Sequence, residues 1–278
     1  KLPKCINPEM GKHRLKPSRV THYRRRRRQF IFHYVQHPLQ KGGNREINIG
    51  IWPSNPVLDA NNIVVLPEAE LPYSMQSKDF TNFIKKIDTS NKEFISGVWS
   101  YKDEHLYNAL ININTSESYN KMHLVPFGEY IPFISSLRGI ISFFDMPMSN
   151  VKHGNKNQQN IAIFRDKTIN FAPLICFDIA FSNTVRKSNK SSYFMINISN
   201  DTWFGKSIGP YHHLDITRVR AIENNKWIIR STNDGFSAII TNNGTIVDII
   251  EKGITGVINS GINIEKERSL YNIYGYFI

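Results

Sequence analysis

A cysteine at position 176 occupies a place where side chains often do chemistry. It lies near the end of a long apolar segment, residues 169–177, two residues before the acidic residue Asp178. The segment predicts a buried strand, and reactive groups in α/β folds commonly lie where a strand ends. A free cysteine is also a frequent small buried residue without any chemical role. From its position alone, Cys176 is therefore either a candidate nucleophile or a core residue.

An acidic residue, Glu68, follows the β-branched segment 63–66 and has a proline on each side, at positions 67 and 72. Proline restricts both its own backbone and that of the residue before it, so this carboxylate is held in place. The alternative is a solvated loop acid, and Glu70 is a local competitor for any chemical role.

A lysine, Lys121, begins an apolar stretch that is interrupted by Pro126 and Gly128. It is either a charge held beside a reactive group or a side chain whose ammonium reaches out to water. The histidines, including His123 and the pair His212-His213, lack the spacing of a metal site, so we predict no metal.

The charge of the chain is concentrated at its N-terminus. The sequence has 278 residues, 40% of them hydrophobic, with a formal net charge of +12. Residues 1–45 contain thirteen Lys or Arg and one acid, which leaves 22 basic and 22 acidic residues for 46–278. We predict a basic, mostly disordered arm over 1–45 and one globular domain over 46–278. The neutral domain argues against a specific nucleic-acid partner.

The sequence also argues against two classes of protein, those held by a structural disulfide and those that span a membrane. Cys5 and Cys176 lie in unlike contexts, which argues against a structural disulfide. No stretch reaches the ~18 consecutive apolar residues that span a bilayer, and the N-terminus does not have the pattern of a signal peptide. We therefore predict no transmembrane segment in this chain.

Short β-branched segments alternate with longer amphipathic ones after position 46, which predicts an α/β sandwich of sheets and covering helices. The predicted helices are 79–86 and 214–224, the second with Leu214, Ile216, Val219 and Ile222 toward the core. Asn242-Asn243-Gly244 predicts a hairpin turn. The predicted strands are residues 47–52, 63–66, 94–99, 109–113, 161–164, 169–177, 193–199, 227–231, 237–240 and 245–250.

The candidate residues, with a second glutamate at position 129, follow one another in the order Glu, Lys, Glu, Cys. In this order and in the strings around them, residues 62–260 resemble the apolipoprotein N-acyltransferase branch of the nitrilase (carbon-nitrogen hydrolase) superfamily. The resemblance implies an α-β-β-α sandwich with a single catalytic domain. The strings that carry it are Leu66-Pro-Glu-Ala-Glu-Leu-Pro72, Lys121-Met-His-Leu-Val-Pro-Phe-Gly-Glu-Tyr-Ile-Pro132, Pro173-Leu-Ile-Cys-Phe-Asp178, Asn197-Ile-Ser-Asn-Asp-Thr-Trp-Phe-Gly205 and Arg230-Ser-Thr-Asn-Asp-Gly235.

The resemblance implies a role for each of these residues. Cys176 would be the nucleophile that carries an acyl group as a thioester, and Glu68 would be the general base. Lys121 would lower the pKa of the thiol and stabilise the oxyanion, with Glu129 orienting it. Trp203 would contact the substrate.

The residues after the nucleophile depart from the family's usual Tyr-Glu, since Phe177 and Asp178 stand there. We expect these supporting positions to be looser as a result, because positioning errors of ~1 Å can slow a reaction about 10²-fold.

The implied reaction moves a fatty acyl chain from a phospholipid donor to the N-terminal diacylglyceryl-cysteine of a lipoprotein, without a cofactor. It would take place at the bacterial inner membrane, facing the periplasm. The family has membrane helices before and after this domain, and they have no counterpart here, so we expect a truncated and impaired form. The connection between the predicted strands 47–52 and 63–66 is also too short for a parallel crossover.

Two other functions remain possible from the sequence. One is a soluble nitrilase-type amidase that uses the same residues with water as the acceptor. The other is a non-catalytic remnant whose arginine-rich arm binds anionic lipid or nucleic acid.

Overall fold

The structure is a computed structural model, and it describes residues 62–71, 73–87, 92–126, 128–130, 151–163 and 169–276. The arm predicted over residues 1–45 and the strand predicted over 47–52 lie outside these residues.

The first sheet has four strands in the spatial order β1-β2-β3-β4. β1 pairs with β2 in parallel, and the remaining pairs are antiparallel. A short helix, α1 (Lys78–Ile84), connects the two parallel strands and begins with Ser77 as its N-cap. The strands are β1 (Asn62–Val65), β2 (Lys92–Lys102), β3 (His105–Asn112) and β4 (Ser118–Asn120).

The second sheet has six strands in the spatial order β10-β9-β8-β7-β6-β5. β6, β7 and β8 are parallel, and the outer pairs are antiparallel. The parallel connections pass through α2 (Ser182–Ser188) and α3 (Gly209–Asn224), and α4 (Leu270–Tyr274) follows the sheet. The strands are β5 (Ile161–Ile163), β6 (Ile169–Ile175), β7 (Phe194–Asn200), β8 (Ile228–Asn233), β9 (Ser237–Ile240) and β10 (Ile246–Ile250).

The core has three parts because successive side chains of a strand point to opposite faces. One cluster joins the inner faces of both sheets, and it includes Ile95 and Leu110 with Phe171 and Ile196. A second packs the outer face of the six-stranded sheet against α2 and α3. A third packs α1, through Phe80, against the outer face of the other sheet. The described part of the chain is therefore an α-β-β-α sandwich, as predicted.

The predicted orientation of α3 is wrong in part. Leu214 is buried as predicted, but Val219 and Ile222 are 45% and 53% exposed. The buried side of the helix instead carries polar residues, among them His213 and Thr217. These side chains bond to buried polar groups near the six-stranded sheet. The spacing of the apolar residues does not reveal these bonds, which form only when this side of the helix faces the sheet.

The hairpin predicted at residues 242–244 joins β9 and β10, and Gly244 has the positive φ of +79° that such turns require. Strand β4 and helices α2 and α4 were not predicted, because they are short and have little apolar periodicity. Within the described part of the chain, no helix has both the length and the apolarity needed to cross a membrane.

Candidate active site

Cys176 lies immediately after β6 and is the first residue of a 3₁₀ helix, Cys176–Ala180. The strand end predicted at this position is confirmed. Its backbone has a φ of +46°, in the left-handed region that non-glycine residues rarely adopt. Its thiol is free and buried. Such strain is frequent at functional sites, where the surrounding structure maintains it.

Glu68 lies in the loop after β1, and this loop packs directly on β2. Gly97 makes the close approach possible, since a Cβ there would lie 2.4 Å from the backbone nitrogen of Ala69. The Gly97 amide donates to the carbonyl of Pro67 (3.1 Å), and the Asn233 side-chain amide donates to the Glu68 carbonyl (3.1 Å). The loop backbone is therefore fixed on both sides of the glutamate.

Lys121 is only 1% exposed, and its ammonium lies between two carboxylates. Its Nζ is 3.1 Å from Glu68 Oε1 and 2.8 Å from Glu129 Oε2. The side-chain amide of Asn108, on β3, donates to Oε1 of both glutamates, at 2.6 and 3.0 Å. These four residues form one buried cluster, which we call the ion cluster.

The two carboxylates of the ion cluster are not equivalent. Glu129 uses both oxygens, because Oε1 accepts from Lys121 and Asn108 while Oε2 accepts from the Val125 amide at 2.9 Å. Glu68 uses Oε1 only, and no described residue donates a hydrogen bond to its Oε2. Burial raises the pKa of Glu68, against the opposing effect of Lys121. Glu68 Oε2 is thus the oxygen best suited to accept a proton.

The charge state of Lys121 follows from its neighbours. Burial alone would lower the pKa of its ammonium, but the charges of Glu68, Cys176 and Glu129 together raise the pKa above its ordinary value. Lys121 therefore stays charged in this buried position.

The thiol of Cys176 behaves differently from the expectation that Lys121 lowers its pKa. Lys121 does act in that direction, but burial and then the charge of Glu68 outweigh it and raise the pKa of Cys176 to about 12. The resting thiol is therefore protonated at neutral pH, and its reaction requires a base.

Asp178, two residues after the cysteine, ties together three segments around the site. It accepts hydrogen bonds from the Tyr119 hydroxyl (3.0 Å) and from the backbone amides of His123 (2.8 Å), Met122 (3.2 Å) and Ile175 (3.2 Å). Burial raises the pKa of its carboxyl to about 6. The bonds from Met122 and His123 hold the segment after Lys121 against the end of β6. The looseness expected at Phe177 and Asp178 stays a prediction.

The two aromatic residues singled out in the sequence lie nearer the surface. Phe177 is half-buried and packs edge-on against Phe181, with ring centroids 5.1 Å apart. Trp203 is 59% exposed and belongs to a 3₁₀ helix, Asp201–Phe204, at the end of β7. Since β6 and β7 are parallel neighbours, Trp203 and Cys176 follow the same edge of the sheet.

A second polar network lies beside the cysteine and involves no residue of the ion cluster. Asp201 accepts from Ser199 Oγ (2.8 Å) and Arg230 (2.9 Å), and its Oδ1 is 2.9 Å from His213 Nδ1. His213 Nε2 lies 3.3 Å from the carbonyl oxygen of Cys176. Burial and the Arg230 charge lower the pKa of His213, against the effect of Asp201.

This network also contains the one described group of side chains that could hold a metal ion. The thiol of Cys176 and ligand atoms of Asp201 and His213 lie within 4.8 Å of one another. Asp201 and His213 already bond to each other, Asp201 also accepts from Ser199, and the Arg230 guanidinium on Asp201 repels a cation. The donors fit a hydrogen-bonded network better than a metal, and the absence of a metal stays a prediction.

Comparison with known proteins gives the family. Residues 55–271 match the family model described as carbon-nitrogen hydrolase. The chain belongs to the carbon-nitrogen hydrolase family.

Named relatives point to one branch of this family. The chain is 34% identical over 230 residues to the apolipoprotein N-acyltransferase of Vibrio parahaemolyticus, covering 77% of this chain and 45% of the relative. It is 35% identical over 219 residues to that of Shewanella oneidensis, covering 72% and 42%. The chain thus spans less than half the length of these relatives. A CN-hydrolase superfamily protein of Xanthomonas campestris shares the fold, with 16% identity, a TM-score of 0.52 and coverage of 76% and 86% of the two chains.

The second polar network and Asn108 of the ion cluster were not predicted as parts of this carbon-nitrogen hydrolase site from the sequence. Asn108 is a polar residue that faces inward on a buried strand, and it lies one position before the predicted start of that strand. His213 was set aside because the histidines lack the spacing of a metal site. Its partners, Asp201 and the Cys176 carbonyl, lie far away in the sequence and meet it only in the folded structure.

The raised pKa of Cys176 predicts an unusual pH dependence for its alkylation. In a Cys5→Ala chain, the rate of reaction with iodoacetamide should rise about tenfold per pH unit up to pH ~10 without levelling, because only the thiolate reacts. A free small-molecule thiol measured in parallel should begin to level near its ordinary pKa of ~8.5. A rate that reaches a plateau below pH ~8 would show a thiolate already formed at neutral pH and would contradict the raised pKa of Cys176.

Proposed function

We propose that this chain transfers a fatty acyl group from a phospholipid to the α-amine of a diacylglyceryl-cysteine lipoprotein, through a thioester on Cys176. The buried Lys121, held between Glu68 and Glu129 and electrostatically coupled to the thiol, carries the proposal. The similarity to apolipoprotein N-acyltransferases supplies the substrate classes.

Acylation of the cysteine begins with removal of its proton. Glu68 Oε2 accepts the thiol proton as the sulfur attacks the ester carbonyl of the phospholipid, and a tetrahedral oxyanion forms. The Lys121 ammonium stabilises this negative charge, and its burial makes the interaction stronger than it would be in water. The carbon–oxygen bond then breaks, and Glu68 returns the proton to the leaving oxygen. The products are a lysophospholipid and an acyl-Cys176 thioester.

In the second half of the reaction, the acyl group passes from Cys176 to the lipoprotein with the help of the same side chains. The neutral α-amine of the lipoprotein attacks the thioester carbonyl, and Lys121 again stabilises the oxyanion. The carbon–sulfur bond breaks, an amine proton passes to Glu68, and Glu68 gives it to the departing thiolate. The lipoprotein leaves with an amide-linked acyl chain, and Cys176 is a thiol again. The protein's own side chains supply every proton transfer, so the proposed reaction uses no cofactor.

The supporting residues hold this geometry. Glu129 and Asn108 hold the Lys121 ammonium and the Glu68 carboxylate in fixed relative positions through the bonds of the ion cluster. Asp178 holds the segment after Lys121 near the nucleophile, and Phe177 packs beside it.

Trp203 is the residue we propose to contact the lipid. Its exposed indole lies at the sheet edge that also carries Cys176, and a large aromatic surface suits an acyl chain or the membrane interface. We propose that the reaction takes place at the bacterial inner membrane, on the periplasmic side, where both lipid-anchored substrates are found.

Mass spectrometry of the intact chain tests the thioester. After incubation with a phospholipid of defined acyl chains, the mass should increase by one acyl group, and hydroxylamine should remove it, because thioesters react readily with this amine. Cys176→Ala should abolish the increase, and Cys5→Ala should leave it unchanged. Addition of a diacylglyceryl-cysteine peptide should then yield the N-acylated peptide. Equal labelling of both cysteines, or release of free fatty acid without N-acylated peptide, would contradict the proposal, the second result in favour of a hydrolase.

A pair of asparagines on β3 tests the ion cluster. Asn108→Leu should slow thioester formation at least tenfold per folded molecule, because Glu68 and Glu129 lose the amide that bridges them. Asn112→Leu is the matched control, since this equally buried amide donates to Glu93 and to the Ala162 carbonyl instead. Its rate per folded molecule should equal that of the unmodified chain. Equal rates for the two variants would show that the bridge has no part in the reaction.

A further inference from the structure

The backbone of Cys176 needs support that the ion cluster does not provide. The cysteine adopts a left-handed conformation, which costs about 1–3 kcal/mol for a residue other than glycine and persists only where the surroundings enforce it. The hydrogen bonds of the ion cluster hold side chains of the loops around the thiol, and none of them is made to the backbone of Cys176. The one described side chain that contacts the Cys176 carbonyl is His213.

His213 is itself fixed from behind by a series of buried groups. Its ring lies against Asp201, and Asp201 accepts from Arg230 on β8. Arg230 is fully buried, donates to the Phe236 carbonyl (3.1 Å) and also bonds to Asn197 on β7. The position of the ring is therefore set by two central strands of the six-stranded sheet and not by the loop that carries the cysteine.

The two contacts of the ring have the same chemical character. The Asp201 carboxylate and the Cys176 carbonyl are both acceptors, so the imidazole can bond to either of them only through an N–H. In the neutral ring that the lowered pKa of His213 favours, the Nε2–H tautomer is the one that donates to the Cys176 carbonyl. A ring protonated on both nitrogens satisfies both acceptors, and a neutral ring satisfies one. His213 Nε2 is more than 90% buried with the rest of the side chain, so water does not substitute easily for this donor.

We propose that His213 is a positioning residue that holds the strained backbone of Cys176, and with it the direction of the sulfur toward Glu68 and Lys121. The inference rests on Cys176 being the nucleophile proposed above. His213 touches neither substrate nor the reacting atoms in this mechanism; it acts through the carbonyl of the cysteine. Displacement of a nucleophile by ~1 Å can lower a rate about 10²-fold, so a single backbone contact is enough to matter.

The ring of His213 also contacts the 3₁₀ helix Asp201–Phe204, which carries Trp203. Phe204 packs edge-on against His213, with centroids 6.0 Å apart, and its ring fills the space beside Gly209 at the start of α3. Phe204 is the immediate neighbour of Trp203. His213 therefore contacts the Cys176 carbonyl on one side and, on another, the sequence neighbour of the residue proposed to contact lipid.

The adjacent histidine provides the matched control for the test. In a Cys5→Ala chain, we compare His213→Phe, which keeps an aromatic ring but removes both donors, with His212→Phe at an exposed position of the same helix. Three quantities are measured: the melting temperature, the rate of Cys176 alkylation, and kcat and KM for thioester formation. His213→Phe should lower the alkylation rate and kcat at least tenfold with KM unchanged. His213→Gln, which retains a donor, should recover part of both rates, and His212→Phe should match the Cys5→Ala parent.

The outcome separates positioning from simple stabilisation. Rates within twofold of the parent in His213→Phe would overturn the proposal. So would rates that fall only in proportion to the fraction unfolded, or that fall equally in His212→Phe. If His213→Phe does not fold, His213→Asn, whose shorter amide cannot reach both partners, takes its place with the same expectations. Alkylation requires no lipid substrate, so failure of the acyl-transfer proposal would leave this part of the test informative.

Discussion

The buried ammonium of Lys121 is the constraint on which the rest of the site depends. A charge taken out of water carries a desolvation cost of several kcal/mol, and only close partners offset it. Two carboxylates within 3.1 Å provide that compensation, and Asn108 holds the carboxylates together. One cation between two acids leaves an excess negative charge if all three groups are ionised. Burial raises the pKa of Glu68, and the negative charge of Glu129 raises it further, against the opposing effect of Lys121.

The same constraint explains how the surrounding loops are built. Glu68 reaches Lys121 because Gly97 lets its loop lie directly on β2, and Asp178 draws the segment after Lys121 toward the end of β6. The pKa values of the Cys176 thiol and of Glu68 are both raised. Transfer of the proton from the thiol to Glu68 is therefore less unfavourable than transfer to a carboxylate of ordinary pKa would be. The ammonium then favours the negative charge that follows. In the proposed reaction, the thiolate of Cys176 therefore forms only as the proton leaves, and the resting thiol is protonated.

Much of this arrangement could be predicted from the sequence, and the reasons for the failures are physical. The described strands other than β4 were predictable because buried strands are short and rich in β-branched residues. The Glu-Lys-Glu-Cys order indicated the side chains for which we propose chemical roles. Asn108 was missed because one inward-facing amide does not change the pattern of a strand. The orientation of α3 was wrong because His213 and Thr217 face buried polar partners that are distant in the sequence, whereas Val219 and Ile222 remain exposed. The raised pKa of Cys176 depends on burial in three dimensions, which no motif contains.

The free energy of unfolding of Lys121 variants tests the central claim most directly. Removal of one partner from a buried ion pair typically costs about 3–5 kcal/mol, because the remaining charge stays buried without compensation. We therefore predict a loss of that size for Lys121→Met in urea unfolding, and recovery of most of it in the triple variant that adds Glu68→Gln and Glu129→Gln. A loss below about 1 kcal/mol for Lys121→Met, the range typical of exposed pairs, would contradict the central role of this ammonium. A triple variant no more stable than the single one would contradict it equally, since the two carboxylates would then not be the groups that Lys121 compensates.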